Sequence, residues 1–186
     1  IPSINTSPSL KTFEGWINKV GAGIISQSKE ICPADHKIYA LRNETGTIPS
    51  IPLICSSILS KKIAEGIHGI VLDVKIGTGT FMKTRKEAYE LGQLMKQVGL
   101  TYGIKVDIVY TNMNQPLGRF AGIACEVDES IECLKGNGPD DLMKITYEIG
   151  SKLLIQANLA VDKNSAINKL KKLIESKIAL KSFELI

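Results

Sequence analysis

The sequence has no Cys-x-x-Cys pair, only two histidines, aromatic residues at 5% with a single tryptophan, and no apolar run approaching the ~20 residues a membrane-spanning helix needs. Each absence removes a class of protein. Cys32, Cys55, Cys125 and Cys133 stand apart among apolar residues, so neither a zinc site nor a secreted disulfide framework is suggested, and buried free thiols are expected. His36 and His68 are too isolated to propose a metal centre. No internal repeat or low-complexity tract appears, and no signal-peptide pattern, so the expected compartment is the cytoplasm. The net charge of +4 comes from 23 basic against 19 acidic residues and is spread along the chain, whereas a nucleic-acid binder concentrates it. What remains, 44% hydrophobic and 23% charged residues over 186 positions, has the composition of a folded globular protein.

The chain opens on Ile1-Pro2-Ser3 rather than methionine, and reads as one entered partway. Ser9 is placed to cap a helix carrying Leu10, Phe13, Trp16, Ile17 and Val20, which Gly21 and Gly23 end before a short buried strand from Ile24-Ile25. Pro33-Ala34-Asp35 can start a short helix, and residues 50–65 form another, with Pro52 tolerated in its first turn. Gly69-Ile70-Val71-Leu72-Asp73-Val74-Lys75 suits a strand covered on both faces. A Gly77-Thr78-Gly79 loop, a helix over 84–99 and a strand over 104–111 follow, and strand, crossover helix, strand is the order of parallel pairing. Beyond Pro116 and Gly118 the pattern predicts another strand-like segment, a short helix over 130–134, a helix opened by Pro139, and an amphipathic lysine-rich helix over 163–181. The expected fold class is α/β, a mixed sheet flanked by helices.

The most informative window lies in the helix over 50–65. Ile54, Ser57, Ile58 and Lys61 fall at i, i+3, i+4 and i+7 and share one face. Two isoleucines with a serine and a lysine suit a flat, mostly apolar ligand with polar edge atoms. Spacing leaves a second reading open, in which Lys61 lies over the surface with its head in water and Ser57 bonds back to a carbonyl one turn earlier. The Gly77–Gly79 loop likewise admits an anion-binding turn, but a lone Gly-x-Gly after a strand favours a tight turn that places Phe81. Asp73 and Lys75 are expected to pair with neighbouring elements.

Three stretches, YALRNETGTIPSIPLICSSILSKKIAEG, VLDVKIGTGTFM and TNMNQPLGRFAGIACEV, occur in that order. Together they resemble the thymidine and pyrimidine nucleoside phosphorylases. The resemblance runs from Ile1 to about Leu159 and implies that Arg42, Ser57 and Lys61 bind the pyrimidine base, with Arg42 and Lys61 as the catalytic cations. It further implies an apolar lining from Ile48, Ile54, Ile58 and Phe81. No organic cofactor is implied. Phosphate is the implied co-substrate, and a potassium ion would be held by the carbonyls of Leu117 and Phe120 with the carboxylate of Glu129.

Other implications concern the whole. The partners would be a pyrimidine nucleoside, phosphate and a second subunit of a homodimer, with neither nucleic acid nor membrane. Residues 34–64 would belong to a small all-α domain, and residues 1–33 and 65–186 to a large α/β domain. The family usually has Asp where this chain has Asn43, and often Val-Asp where it has Ile48-Pro49; loss of the acidic neighbour bears on how Arg42 is oriented. The family's glycine- and serine-rich phosphate loop lies upstream of Ile1, so the chain alone is expected to be inactive. Two alternatives stand beside this reading: a non-catalytic relative that folds and binds pyrimidines, and a phosphoribosyltransferase. The second lacks its paired acidic loop, because Asp140-Asp141 falls in the first turn of a helix.

Overall fold

The computed structural model describes residue 5, residues 7–25 and residues 32–186. Among the described residues eight helices and two strands follow one another as α1 (Leu10–Val20), α2 (Pro33–Glu44), α3 (Ile51–Ala64), β1 (Gly69–Ile76), α4 (Arg85–Thr101), β2 (Lys105–Asn112), α5 (Ile123–Lys135), α6 (Asp140–Gln156), α7 (Lys163–Glu175) and α8 (Ile178–Glu184). The α/β class is as the sequence pattern indicates.

β1 and β2 run parallel, in register from Gly69 opposite Lys105 to Ile76 opposite Asn112. Strand side chains alternate faces. Leu72, Val74 and Ile76 face α4, where Leu91 and Met95 meet Val74 and Ile108 in the core. On the other face Asp107 accepts a hydrogen bond from the α6 residue Gln156 at 2.6 Å. Asp73 takes the Lys75 ammonium at 2.6 Å and the Thr111 hydroxyl at 2.5 Å, so Asp73 reaches the neighbouring strand as expected, whereas Lys75 pairs within its own strand rather than with another element.

α3 completes the core. Its Cys55 and Leu59 join the cluster formed by Val74, Met82, Ala88, Leu91, Met95 and Ile108. The helix thereby presents its Ile54/Ser57/Ile58/Lys61 stripe along the side of that core. α4 begins at a capping box in which Thr84 accepts from the Glu87 N–H and Glu87 accepts from the Thr84 N–H.

Several expectations need correction. No strand follows Pro116: residues 113–122 are loop and bend, and α5 starts at Ile123, seven residues before the helix read from the pattern. Its apolar residues Val127 and Ile131 are four apart, the helical interval, and Ile123 itself is exposed. The helix expected over 163–181 is two, because Lys177 adopts a left-handed conformation at φ 62° between α7 and α8. Only Cys55 is buried among the four thiols; Cys32, Cys125 and Cys133 are half-buried, though all are free. Ile24 is exposed and Ile25 half-buried, both outside any strand, and residues 26–31 beyond them lie outside the described residues.

Candidate functional site

Two helices build the site. On α2, Asp35, Tyr39 and Arg42 lie at i, i+4 and i+7, the same spacing that α3 uses for Ile54, Ile58 and Lys61. The two stripes face one another across a cavity of about 390 Å³. Its polar wall is Asp35, Arg42, Ser57 and Lys61, and its apolar wall is Ile48, Ile54, Ile58 and Phe81, with Tyr39 at the edge. All seven residues named for base binding in the sequence are brought together here.

Phe81 arrives from the β1–α4 loop. Gly77 donates to the Met82 carbonyl at 3.1 Å and Thr80 to the Gly77 carbonyl at 3.3 Å, closing a tight turn. Gly77 has φ 141°, and a Cβ there would sit 2.8 Å from the Met113 carbonyl carbon, so glycine is required. The turn buries Met82 in the core and leaves Phe81 55% exposed over the cavity. It places an aromatic ring, as expected, rather than serving an anion at this cavity.

Lys61 uses its three ammonium protons within the cavity wall. It donates to Asp35 Oδ2 at 2.6 Å, to Ser57 Oγ at 3.2 Å and to the Ser57 carbonyl. The surface reading of Lys61 is therefore set aside, since its head group lies in the cavity. Asp35 is only 8% exposed. Burial alone would raise its carboxyl, but the Lys61 hydrogen bond, the Ser57 hydroxyl and the charges of Lys61 and Arg42 together outweigh it and hold it below the ordinary value.

Arg42 is 3% exposed and is oriented by carbonyls. Its Nε donates to Thr47 at 3.4 Å, Nη1 to Leu53 at 3.2 Å and Nη2 to Ile48 at 2.5 Å. The guanidinium also lies over the Tyr39 ring, 5.4 Å from its centre. Three of five N–H groups are engaged, leaving two for a ligand. Asn43 is exposed and takes no part in these bonds, so the residue after the arginine does not set its direction.

Asp35 and Tyr39 line the cavity, and sequence reasoning named neither for it. The signal was available, because Asp35 precedes Arg42 by seven residues and thus shares its helix face.

The residues named for a cation lie elsewhere, at the loop before α5. Glu129, 6% exposed, accepts the Arg119 N–H at 2.9 Å, and Asp141 accepts the Gly118 N–H at 3.1 Å. Gly118 has φ 78°, and a Cβ there would lie 2.2 Å from Glu129 Oε2. The carboxylate is thus brought against the 117–120 loop, and an all-oxygen donor set of one carboxylate and backbone carbonyls fits a hard cation. Among the described residues no cluster of three or more His, Cys, Asp or Glu side chains is placed to bind a metal, and no helix is long and apolar enough to cross a membrane.

Fold and site define an α/β domain with a cavity between two helices beside its core. Residues 2–180 match the family model described as glycosyl transferase family, a/b domain, and the chain belongs to that family. Curated relatives include the pyrimidine-nucleoside phosphorylase of Staphylococcus aureus strain bovine RF122 / ET3-1, 46% identical over 173 residues, which are 93% of this chain and 40% of the relative. Those of strains USA300 and NCTC 8325 / PS 47 are 45% identical over the same shares. The chain therefore spans about two fifths of the length of these relatives.

Proposed function

We propose that this chain is the base-recognition portion of a pyrimidine nucleoside phosphorylase, which cleaves thymidine or uridine with phosphate to free base and pentose 1-phosphate. The observation that carries the reading is the cavity between α2 and α3, where Arg42, Ser57 and Lys61 line one wall and four apolar side chains the other. The names of the Staphylococcus aureus relatives support the same substrate class.

In phosphorolysis, phosphate attacks C1′ and the base leaves with negative charge building on its ring oxygens and nitrogens. Fixed cations at the base edge stabilise that charge more in the transition state than in the ground state. Arg42 offers a planar pair of N–H donors, Lys61 a point charge and Ser57 a neutral hydroxyl. Asp35 acts as a positioning residue, holding the Lys61 ammonium in the cavity. A base oxygen would replace the Ser57 Oγ contact of Lys61, the longer of its two bonds to side chains. Charge-assisted hydrogen bonds are worth roughly 1.5–3 kcal/mol each, so two cations supply about 3–6 kcal/mol, on the order of 10²–10⁴ in rate.

The remaining parts of the reading are proposals of the same kind. Residues 34–64 belong to a small helical domain and the flanking residues to a large α/β domain. The protein works in the cytoplasm as a homodimer and needs no organic cofactor. A potassium ion is held by the carbonyls of Leu117 and Phe120 and by Glu129, fixing the 117–120 loop.

The test is a chimera of the Staphylococcus aureus relative in which this chain replaces the matched region, assayed with thymidine and uridine in excess phosphate. Free base should be released, and Lys61→Ala in the chimera should lower the rate by about tenfold to a hundredfold. The 186-residue chain alone should release none. A folded chimera with full activity after Lys61→Ala would sink the assignment.

A further inference from the structure

A second and larger cavity, about 790 Å³, opens at the carboxyl ends of β1 and β2, where the α4 N-terminus meets the end of β2. Its wall carries three cationic side chains, Lys83, Arg85 and Lys86, and no carboxylate. Glu87, the nearest acid in sequence, is turned away by its capping bonds to Thr84. Lys83 donates to the Thr78 carbonyl at 2.9 Å. Among the described residues neither Arg85 nor Lys86 is in an ion pair. Such a surface concentrates anions.

The same wall holds an aromatic pair. Tyr89 and Tyr110 lie with ring centres 6.4 Å apart and planes tilted by 32°. Both rings are exposed. Tyr110 is fixed from behind, since its hydroxyl would lie 2.4 Å from a Cβ at Gly92, so only glycine lets the ring lie this close to α4. Beyond the rings, Asn112 and Asn114 supply amide groups. Asn114 is anchored by accepting the Thr78 N–H at 3.0 Å, which leaves its amide N–H groups as donors. Cations, a rigid aromatic platform and amide edges converge in one cleft outside the carboxyl ends of parallel strands, the place where open α/β sheets bind ligands.

We propose that this cleft is a binding site for a nucleoside monophosphate, its phosphate held by Arg85 and Lys86 and its ring laid against the Tyr89–Tyr110 pair. The site is separate from the α2–α3 cavity and does not rest on the function proposed for it. Phosphate alone would forgo the aromatic contact, and a nucleoside alone would forgo the cations. Both parts are needed for full affinity.

The experiment is calorimetry and amide chemical-shift mapping on the 186-residue chain with uridine 5′-monophosphate, uridine and inorganic phosphate. The nucleotide should bind at least about tenfold more tightly than inorganic phosphate, because stacking on an aromatic pair adds to the charge contacts. Its shifts should centre on residues 83–89 and 110–114. Uridine tests the α2–α3 cavity independently, through shifts at residues 35–61. Arg85→Glu with Lys86→Glu should weaken nucleotide binding roughly a hundredfold. Acidic residues suit the first turn of a helix, so this variant should fold. The proposal is overturned if the nucleotide leaves residues 83–89 and 110–114 unshifted, if inorganic phosphate binds as tightly, or if the folded charge-reversed variant binds the nucleotide as well as the parent chain.

Discussion

Lys61 commits all three ammonium protons to Asp35 and Ser57, so its removal affects more than a ligand. Lys61→Ala leaves Asp35 as a buried carboxylate without its ion-pair partner. The expected cost is roughly 1–3 kcal/mol of stability, that of a desolvated polar group left without its bond. Ligand binding and stability are thereby coupled through the Asp35 contact. Asp35→Asn separates them, since it keeps the volume and removes the charge. A carboxyl held below its ordinary value in the folded state adds stability above the unfolded value of about 3.9, and loses it as pH falls through the lower folded value. Thermal midpoints of the parent chain and Asp35→Asn should therefore differ above about pH 4 and converge in stronger acid. A midpoint difference independent of pH would remove the ion pair from the account. Arg42→Ala should weaken base binding more than Ser57→Ala, whose single neutral bond is worth about 0.5–1.5 kcal/mol. Calorimetric titration with thymidine gives the order.

At the scale of elements, α3 sets the geometry of the site by burying one side and offering the other. Leu59 is 1% exposed in the core, one turn along from Cys55. Leu59→Ala should cost about 2–5 kcal/mol by leaving a cavity, read by urea denaturation. It should also loosen the helix that carries Ser57 and Lys61. Gly118→Ala should destabilise the 117–120 loop, because its Cβ has no room beside Glu129 and φ 78° disfavours any side chain. The cost should exceed about 1 kcal/mol in the same assay.

The elements also show what could be read from sequence and why. The stripe on α3 was legible because helical periodicity needs only local spacing. So were the strands flanking α4 and the turn that carries Phe81. The site's acid was not read, because Asp35 was counted toward starting its helix rather than toward the face it shares with Arg42. The carbonyls that orient Arg42 were hidden for a different reason. Thr47, Ile48 and Leu53 supply main-chain groups that any sequence would have. The break at Lys177 was unreadable too, since a left-handed lysine leaves no compositional mark.

For the molecule as a whole, the cleft between α2 and α3 is the feature on which the proposed pyrimidine recognition rests. The chain covers 40% of those relatives, so recognition of the base is the property this chain can be asked for directly. The decisive measurement is titration of the 186-residue chain with thymidine, for the parent and for Lys61→Ala, with circular dichroism to establish that both are folded. The parent should bind with amide shifts at residues 35–61, and the variant should bind at least about tenfold more weakly, the loss of one charge-assisted bond. Equal binding by the two folded proteins, or binding with no shift at residues 35–61, would contradict the claim that this cavity holds the base.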